Sequence, residues 1–300
     1  MKITSKNLGI LFAALLAVGL VSATLITYYG KVTTTVDVNR AVVLTGDDCV
    51  DNACTESLTM AGGETVVTNE YTAESQTSVD GQVEVDAVPS DVCLTANTNY
   101  KLHAEGTNPR EQRVRIEASD AGLTDLDSLT SIAFTQDVQA GYIGHVDVIV
   151  ETTTGTDALV FEYAKVDESD CDDAADYPSG VVNTFGDKGI VDADANAWLS
   201  SGAAGPCGGA GFIDGNLAAW KAGTVDASVS GSSAIVALEF EVDSWIETST
   251  SVFSDLTVNG VEVEVITLQA GLSNMFYLDI IADWACEAGT YSVVTELQVV

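Results

Sequence analysis

Basic residues are scarce in this chain. Its 300 residues include 11 Lys and Arg against 45 Asp and Glu, which gives a formal net charge of −34 at pH 7. Because nucleic-acid binding requires Lys and Arg side chains against phosphates, this composition argues against a nucleic-acid partner. It also disfavours adsorption to an anionic membrane surface. We interpret most of the acidic residues as a solvated surface suited to a saline or cation-rich medium.

Motifs for catalysis are missing as well. The sequence has no H-E-x-x-H, no G-x-S-x-G, no P-loop and no dinucleotide-binding fingerprint after a predicted strand. Its two histidines, His103 and His145, lie in or beside predicted strands and show no partner at a catalytic or metal-ligand spacing. We therefore predict two structural histidines and a protein that is not an enzyme.

Proline is rare, with four residues, whereas 46% of the residues are hydrophobic. Such a chain can build a core, unlike a disordered polyanion. Apolar and polar residues alternate over most of it, which is typical of half-buried strands. The clearest segment is residues 234–243. Its apolar residues are expected to point inward and its acidic residues outward: inward Ala234, Val236, Leu238, Phe240 and Val242, outward Glu239, Glu241 and Asp243.

Two dipeptides, Asn259-Gly260 and Asp80-Gly81, predict hairpin turns because both tolerate positive φ. Strands at intervals of about ten residues predict an all-β fold, an antiparallel jelly-roll or Ig-like β-sandwich. The exception is residues 166–223, where Asp clusters, glycines and Ala/Trp segments at 193–199 and 217–221 predict a loop-rich insertion with short helices. A two-domain division there stays open, because the chain is long for one domain.

The N-terminus begins with an apolar leader. Lys2 and Lys6 supply positive charge, residues 8–20 an apolar core, and Val21-Ser22-Ala23 a small-residue cleavage pattern. These features predict an N-terminal signal helix, residues 1–23, and an extracellular mature protein that meets the membrane only through its leader. A retained anchor is the alternative, since the uncharged run after Lys6 exceeds the roughly 20 residues that span a bilayer.

Residues 24–45 are predicted to form an assembly strand that precedes a β-sandwich over 46–300. Cleavage frees the apolar residues 24–31, which we expect to enter the sheet of a neighbouring copy by donor-strand complementation. Such a contact is head-to-tail and propagates into a homopolymer. The simpler alternative makes residues 32–44 the first strand of the chain's own sandwich. The side chains expected at the subunit contact are apolar or aromatic, namely Leu25, Ile26, Tyr28, Tyr29, Val32, Val36 and Val38.

The cysteines number six, and all follow the leader: Cys49, Cys54, Cys93, Cys171, Cys207 and Cys286. An even number in a secreted chain predicts disulfides. The local pair Cys49–Cys54 is the first expectation. A bond from Cys171 to Cys207 would staple the insertion and leave Cys93 with Cys286. The absence of a C-x-x-C pair and of a nearby histidine argues against zinc at the cysteines.

A calcium site is predicted at Asp192, Asp194 and Asn196, whose side-chain oxygens stand at the first, third and fifth positions of a loop. Ala197 and Ala203 occupy the sixth and twelfth positions, where a calcium loop has glycine and a bidentate acid. A solvated turn or a helix cap is therefore the alternative. No cofactor is required by the sequence.

The leader, the β pattern that follows it and the final strand pattern Gly289-Thr-Tyr291-Ser-Val-Val-Thr295 together resemble the TasA/camelysin family and the related archaeal bundling pilins. The archaeal type is the more similar. Tyr28-Tyr29-Gly30-Lys31 stands where that family often has an aromatic-Phe-Ser-Asp stretch, and the six cysteines and the insertion are further departures. The resemblance implies a jelly-roll subunit that polymerises through its N-terminal strand into extracellular fibres of a biofilm matrix or of cell–cell contacts.

Two other functions stay open at this point. One is a monomeric cell-surface or S-layer-like protein held by an uncleaved helix. The other is a secreted carbohydrate-binding or hydrolytic β-sandwich that uses tryptophan as a sugar platform. The four tryptophans are scattered, which favours buried anchors in a β core; they are Trp198, Trp220, Trp245 and Trp284.

Overall fold

The alternating segments fold into two antiparallel sheets that form a sandwich-like arrangement. A computed structural model of the chain describes residues 42–50, 53–76, 80–89, 91–105, 111–141, 144–161, 182–184, 195–202, 214–244, 248–269 and 272–299. All of these belong to one compact unit, Arg40–Val300. The predicted signal helix, residues 1–23, lies outside the described residues.

Strands are numbered in chain order. Sheet A contains β1 (Val42–Thr45), β4 (Thr65–Val67), β5 (Tyr71–Ser75), β7 (Leu94–Ala104), β9 (Ile132–Ala140), β12 (Val182–Thr184), β16 (Ser249–Val258), β17 (Val261–Glu262) and β19 (Ser273–Ala282). Its order is β1-β5-β19-β7-β16-β9-β12, with β4 also on β19 and β17 also on β16.

Sheet B contains β2 (Cys49–Val50), β3 (Ala53–Met60), β6 (Gly81–Pro89), β8 (Glu111–Glu117), β10 (His145–Thr152), β11 (Gly155–Phe161), β13 (Asn196–Leu199), β14 (Asp214–Asn216), β15 (Ile235–Asp243), β18 (Val265–Leu268) and β20 (Gly289–Val299). Its order is β14-β13-β11-β10-β15-β8-β18-β6-β20-β3-β2. The antiparallel sandwich predicted from the sequence is confirmed at this level.

The core lies between the two sheets and is centred on aromatic rings. Phe134 of β9 and Phe253 of β16 come from sheet A and meet Phe240 of β15 from sheet B. The ring of Phe134 lies edge-on to that of Phe240, with centroids 5.2 Å apart. Each fully buried Phe contributes about 2–3 kcal/mol through removal of its apolar area from water. These three rings therefore join the sheets at their middle.

One predicted hairpin is confirmed and the other is wrong. Asn259 and Gly260 have φ of 53° and 75° and join β16 to β17. The Asn259 side chain also accepts hydrogen bonds from the backbone N–H groups of Thr130 and Ser131, which ties the turn to a neighbouring loop. At Asp80-Gly81, in contrast, the flanking strands β5 and β6 lie in different sheets. The dipeptide there marks a crossing between sheets.

The alternation predicted for β15 is correct at its C-terminal half and shifts at its start. Its register against β10 slips between Ala237 and Ile235, where a β-bulge is inserted. As a result Ile235 joins the core, while Val236 is only partly buried and Ala234 is exposed. A bulge adds one residue to a strand and so exchanges the two faces.

The predicted insertion, residues 166–223, contributes strands as well as turns. The described part adds β12 to β9 in sheet A and adds β13 and β14 beside β11 in sheet B. The predicted helix at 193–199 is wrong over β13, because pairing with β11 decides that segment. The one at 217–221 is confirmed as α1 (Leu217–Lys221), whose first turn is capped by the Asn216 side chain at 2.9 Å from Ala219 N.

Two of the expected cysteine pairs lie at disulfide distance. Cys49–Cys54 closes the β2–β3 hairpin, and Cys93–Cys286 joins the start of β7 to the loop between β19 and β20. Within the part of the chain that the structure describes, no cysteine is free. Cys171 and Cys207 lie outside the described residues.

We expect the two bonds to differ in their contribution to stability. The bonded cysteines are 193 residues apart in one case and 5 in the other. Loop-closure entropy gives about 5 kcal/mol for the long loop and about 2 kcal/mol for the short one. A Cys93→Ser/Cys286→Ser variant should therefore unfold at a lower temperature than a Cys49→Ser/Cys54→Ser variant. Thermal unfolding followed by circular dichroism measures this, and the reverse order would contradict it.

Candidate functional site

The chain enters sheet A at its edge. β1 is the outermost strand there and pairs with β5 from Val42 opposite Ser75 to Thr45 opposite Thr72. Val42 and Leu44 are buried and point to the core. The predicted assembly strand, residues 24–45, is described only from Val42 onward, and that part pairs within its own chain. Every residue expected at the subunit contact, Leu25 to Val38, lies outside the described residues.

An open flank lies beside this edge, and we define it by β3 residues Glu56–Met60 and by β4. β3 pairs with β20 along one side; on its other side β2 pairs with Ala53 and Cys54, and the Thr55 backbone N–H donates to the Asp48 carbonyl. β4 pairs with β19 on one side. Among the described strands none occupies the remaining side of either segment. Backbone N–H and C=O groups at such edges are ready to pair with another strand.

Glu56 of β3 connects the two sheets across this flank. Its carboxylate accepts hydrogen bonds from the Tyr71 hydroxyl at 2.9 Å and from the Asn69 backbone N–H at 3.0 Å. Burial, followed by the contact with Glu56, raises the pKa of Tyr71 above its ordinary value. The phenol therefore stays protonated and donates. Val67 of β4 is 54% exposed, so the flank also presents apolar surface.

The tryptophans fall into different environments. Trp220 is fully buried and its indole N–H donates to the Ala197 carbonyl at 3.1 Å, as expected of a core anchor. Trp284 is 85% exposed, so the prediction of a buried anchor is wrong for this residue. Its ring lies against Gly63, where a Cβ atom would come within 2.7 Å of it. Trp198 is partly buried on β13, and Trp245 lies outside the described residues.

A ladder of charged side chains crosses the outer face of sheet B. We define it by five residues on β8, β15 and β10: Arg113, Arg115, Glu239, Glu241 and His145. Arg113 Nη1 donates to Glu239 at 2.8 Å and to Glu241 at 3.0 Å, and Arg115 donates to Glu239 as well. Glu239 and Glu241 are each only 3% exposed, so the prediction of a solvated outer face is wrong for this part of β15.

Burial and ion pairing act against each other in the ladder. Burial alone would raise the pKa of the Glu239 carboxyl. Its side-chain hydrogen bonds and the charge of Arg113 outweigh that effect, so the pKa of Glu239 lies below its ordinary value. At the border of the ladder, burial and the charge of Glu241 raise the pKa of Glu111. The ladder therefore keeps the Glu239 carboxylate ionised and is short of positive charge at its edge.

The sequence carries only part of the signal for this ladder. The alternation Arg113-Val-Arg115 places two arginines on one face of a strand. The alternation His145-Val-Asp147 does the same for a histidine and an aspartate. The glutamates of β15 are distant in sequence, and only the pairing register brings them opposite. The predicted calcium site lies outside the described part of the chain, which does not include Asp192, Asp194 or the side chain of Asn196.

Comparison with known proteins found no protein family and no curated protein that matches this chain. In the described ranges, no helix is long and apolar enough to cross a membrane.

We expect the loss of Arg115 to destabilise the fold. Arg115→Met leaves the buried Glu239 with Arg113 alone, so the cost should lie between that of an exposed pair and the roughly 3–5 kcal/mol of a buried charge left without any partner. The matched control is Lys101→Met, which removes the more exposed pair with Glu70 and should cost under about 1 kcal/mol. Urea unfolding at neutral pH measures both. Equal losses in the two variants would contradict the expectation.

The same pair of variants gives a pH dependence. A carboxyl with a lowered folded-state pKa contributes stability above its unfolded pKa and loses it as the pH falls through the folded value. The gap between wild type and Arg115→Met should therefore be largest near neutral pH. It should shrink below about pH 4, the ordinary range of glutamate, where Glu239 becomes protonated in the variant.

Proposed function

We propose that this protein is a secreted, non-enzymatic subunit of an extracellular filament, joined to its neighbours by strand addition. The proposal includes cleavage after Ala23 and a jelly-roll type of sandwich. The observation that carries it is the open flank, a pair of sheet edges beside the strand through which the N-terminal segment enters the fold. Residues 24–41 of one copy are the strand that fills the flank of the next.

The position of β1 supports this assignment. β5 and β4 pair with successive parts of the same side of β19. β1 (Val42–Thr45) pairs with β5 only, so the outer edge of β4 is not covered by β1. An added strand would continue the sheet through main-chain hydrogen bonds, which give affinity, while alternate side chains fill pockets. Residues 24–31 supply such side chains, and apolar area removed from water contributes about 25 cal/mol per Å².

The disulfide pairs support the proposed location. Disulfides persist in oxidising environments and are rare in reducing ones. Two pairs at bonding distance in an otherwise well-packed β fold therefore favour an extracellular protein.

The test is electron microscopy of the secreted full chain. In one variant Leu25, Ile26, Tyr28 and Tyr29 are changed to Ser. In the control, Thr33 and Thr35, which lie on the face of the predicted strand opposite to Val32 and Val36, are changed to Ser. We expect fibres to disappear in the first and to persist in the second. The unfolding temperature should be equal in both, and the mass of the mature N-terminus should match cleavage after Ala23.

The flank itself is tested with a second pair of variants. Val67→Asp places a charge on the open flank, and Val261→Asp places one on the β16–β17 hairpin, at a valine that is 68% exposed against 54% for Val67. Only Val67→Asp should reduce fibre formation. Fibres that persist in both the Val67→Asp and the N-terminal variants, or a mature chain that still carries residues 1–23, would overturn the proposal.

Salt should control the assembly. Removal of Lys2 and Lys6 with the leader changes the net charge from −34 to −36, so identical subunits repel. The screening length falls from about 30 Å at 0.01 M salt to about 3 Å at 1 M. We expect light scattering to show faster fibre growth as NaCl is raised, with the monomer folded by circular dichroism throughout. Faster growth at low salt would contradict this.

A further inference from the structure

Three metal-ligating side chains converge at the His145 end of the charged ladder. His145 and Asp147 lie two residues apart on β10 and therefore share one face of the strand. Glu241 of the neighbouring β15 stands directly opposite His145 in the register. One nitrogen and two carboxylate oxygens from these residues lie within 4.8 Å of one another. The proposed assembly edge is made by other strands, so this site is independent of it.

The separations between these atoms suit a shared cation. His145 Nε2 is 3.6 Å from Glu241 Oε2 and 3.7 Å from Asp147 Oδ1. These distances exceed a hydrogen bond between the groups. Ligands bound tetrahedrally at 2.0–2.2 Å from one ion stand about 3.3–3.6 Å apart. The two distances from His145 Nε2 are therefore close to the spacing of two ligands around such an ion, and all three atoms lie within 4.8 Å of one another.

The site is held in place by its surroundings. Glu241 is buried, and its other oxygen accepts a hydrogen bond from Arg113 Nη1 at 3.0 Å, which turns Oε2 toward His145. Partners of this kind orient metal ligands and tune their affinity. The opposite faces of the same strands carry Val146 and Phe240 into the core, so the backbone beneath the site is fixed.

Charge favours a cation at this place. The ladder and its border contain five carboxylates against two guanidiniums: Glu111, Glu117, Asp147, Glu239 and Glu241 against Arg113 and Arg115. Both arginines are directed to Glu239. Arg113 also donates to Glu241, so the carboxylates among these groups exceed the guanidiniums by three, and a divalent ion would offset much of that excess.

We propose that His145, Asp147 and Glu241 bind one divalent transition-metal ion of the zinc class. An imidazole nitrogen among the ligands favours zinc over calcium and magnesium, which prefer oxygen ligands alone. The three side chains come from two paired strands, so the ion would staple β10 to β15 on the outer face of sheet B. An ion that binds the folded state in preference to the unfolded chain stabilises the fold.

The test is isothermal titration of the full secreted chain with ZnCl₂ under non-reducing conditions, which keep the cysteines bonded. High salt is used, because it screens the exposed carboxylates that bind cations weakly. We expect one tight equivalent in the wild type. His145→Ala and the nearly isosteric Asp147→Asn should each weaken it by about 100-fold or more. His103→Ala, which removes the other histidine, should leave it unchanged.

Unfolding in the presence of EDTA separates binding from folding. If His145→Ala unfolds at a lower temperature than wild type in EDTA, that substitution also weakens the metal-free fold. Zinc binding by the wild type is then compared with Asp147→Asn, which keeps the size of the side chain. Zinc should raise the unfolding temperature of the wild type and of His103→Ala only. Binding of equal strength in Asp147→Asn, the lack of a saturable equivalent in the wild type, or competition by an equal concentration of CaCl₂ would overturn the proposal.

Discussion

The cross-strand register of β8, β15 and β10 determines both faces of sheet B. It aligns Phe240 with Val114 and Val146 on the inner face, and Glu241 with Arg113 and His145 on the outer face. A slip of one residue would turn the glutamates of β15 into the aromatic core, where an unpaired charge costs several kcal/mol. The ion pairs on the outer face and the core packing on the inner face thus select the same register. A change of register would disrupt both.

This arrangement explains how so acidic a chain folds. Most of the carboxylates that the structure describes are exposed or partly exposed, where salt screens their repulsion. A few are buried, and for these the chain uses two of its 11 basic residues, placed on a strand that pairs directly with β15. Arg suits this task because its planar guanidinium donates to two carboxylates at once. The scarce positive charge is thus concentrated where burial makes it most effective.

The sequence predicted features that depend on neighbouring residues. The strands, the Asn259-Gly260 turn and the local cysteine pair follow from alternation, from positive φ and from short separation. The Asp80-Gly81 hairpin failed because a turn dipeptide does not tell which sheet the next strand joins. The sequence did not predict the bulge at Val236 or the burial of Glu239, because both depend on a partner strand. It did not predict the contact between His145 and Glu241 for the same reason, since a pairing register between distant segments leaves no local signal.

The last strand has a consequence for the order of folding. β20 lies between β6 and β3, so it joins two parts of sheet B that do not otherwise pair. A nascent chain that ends before Gly289 has the early strands but lacks their common neighbour. Pairing over so long a separation is slow to form, because the loop must close before the contacts stabilise it. The β2–β3 hairpin therefore has no strand neighbour in sheet B until β20 has been made.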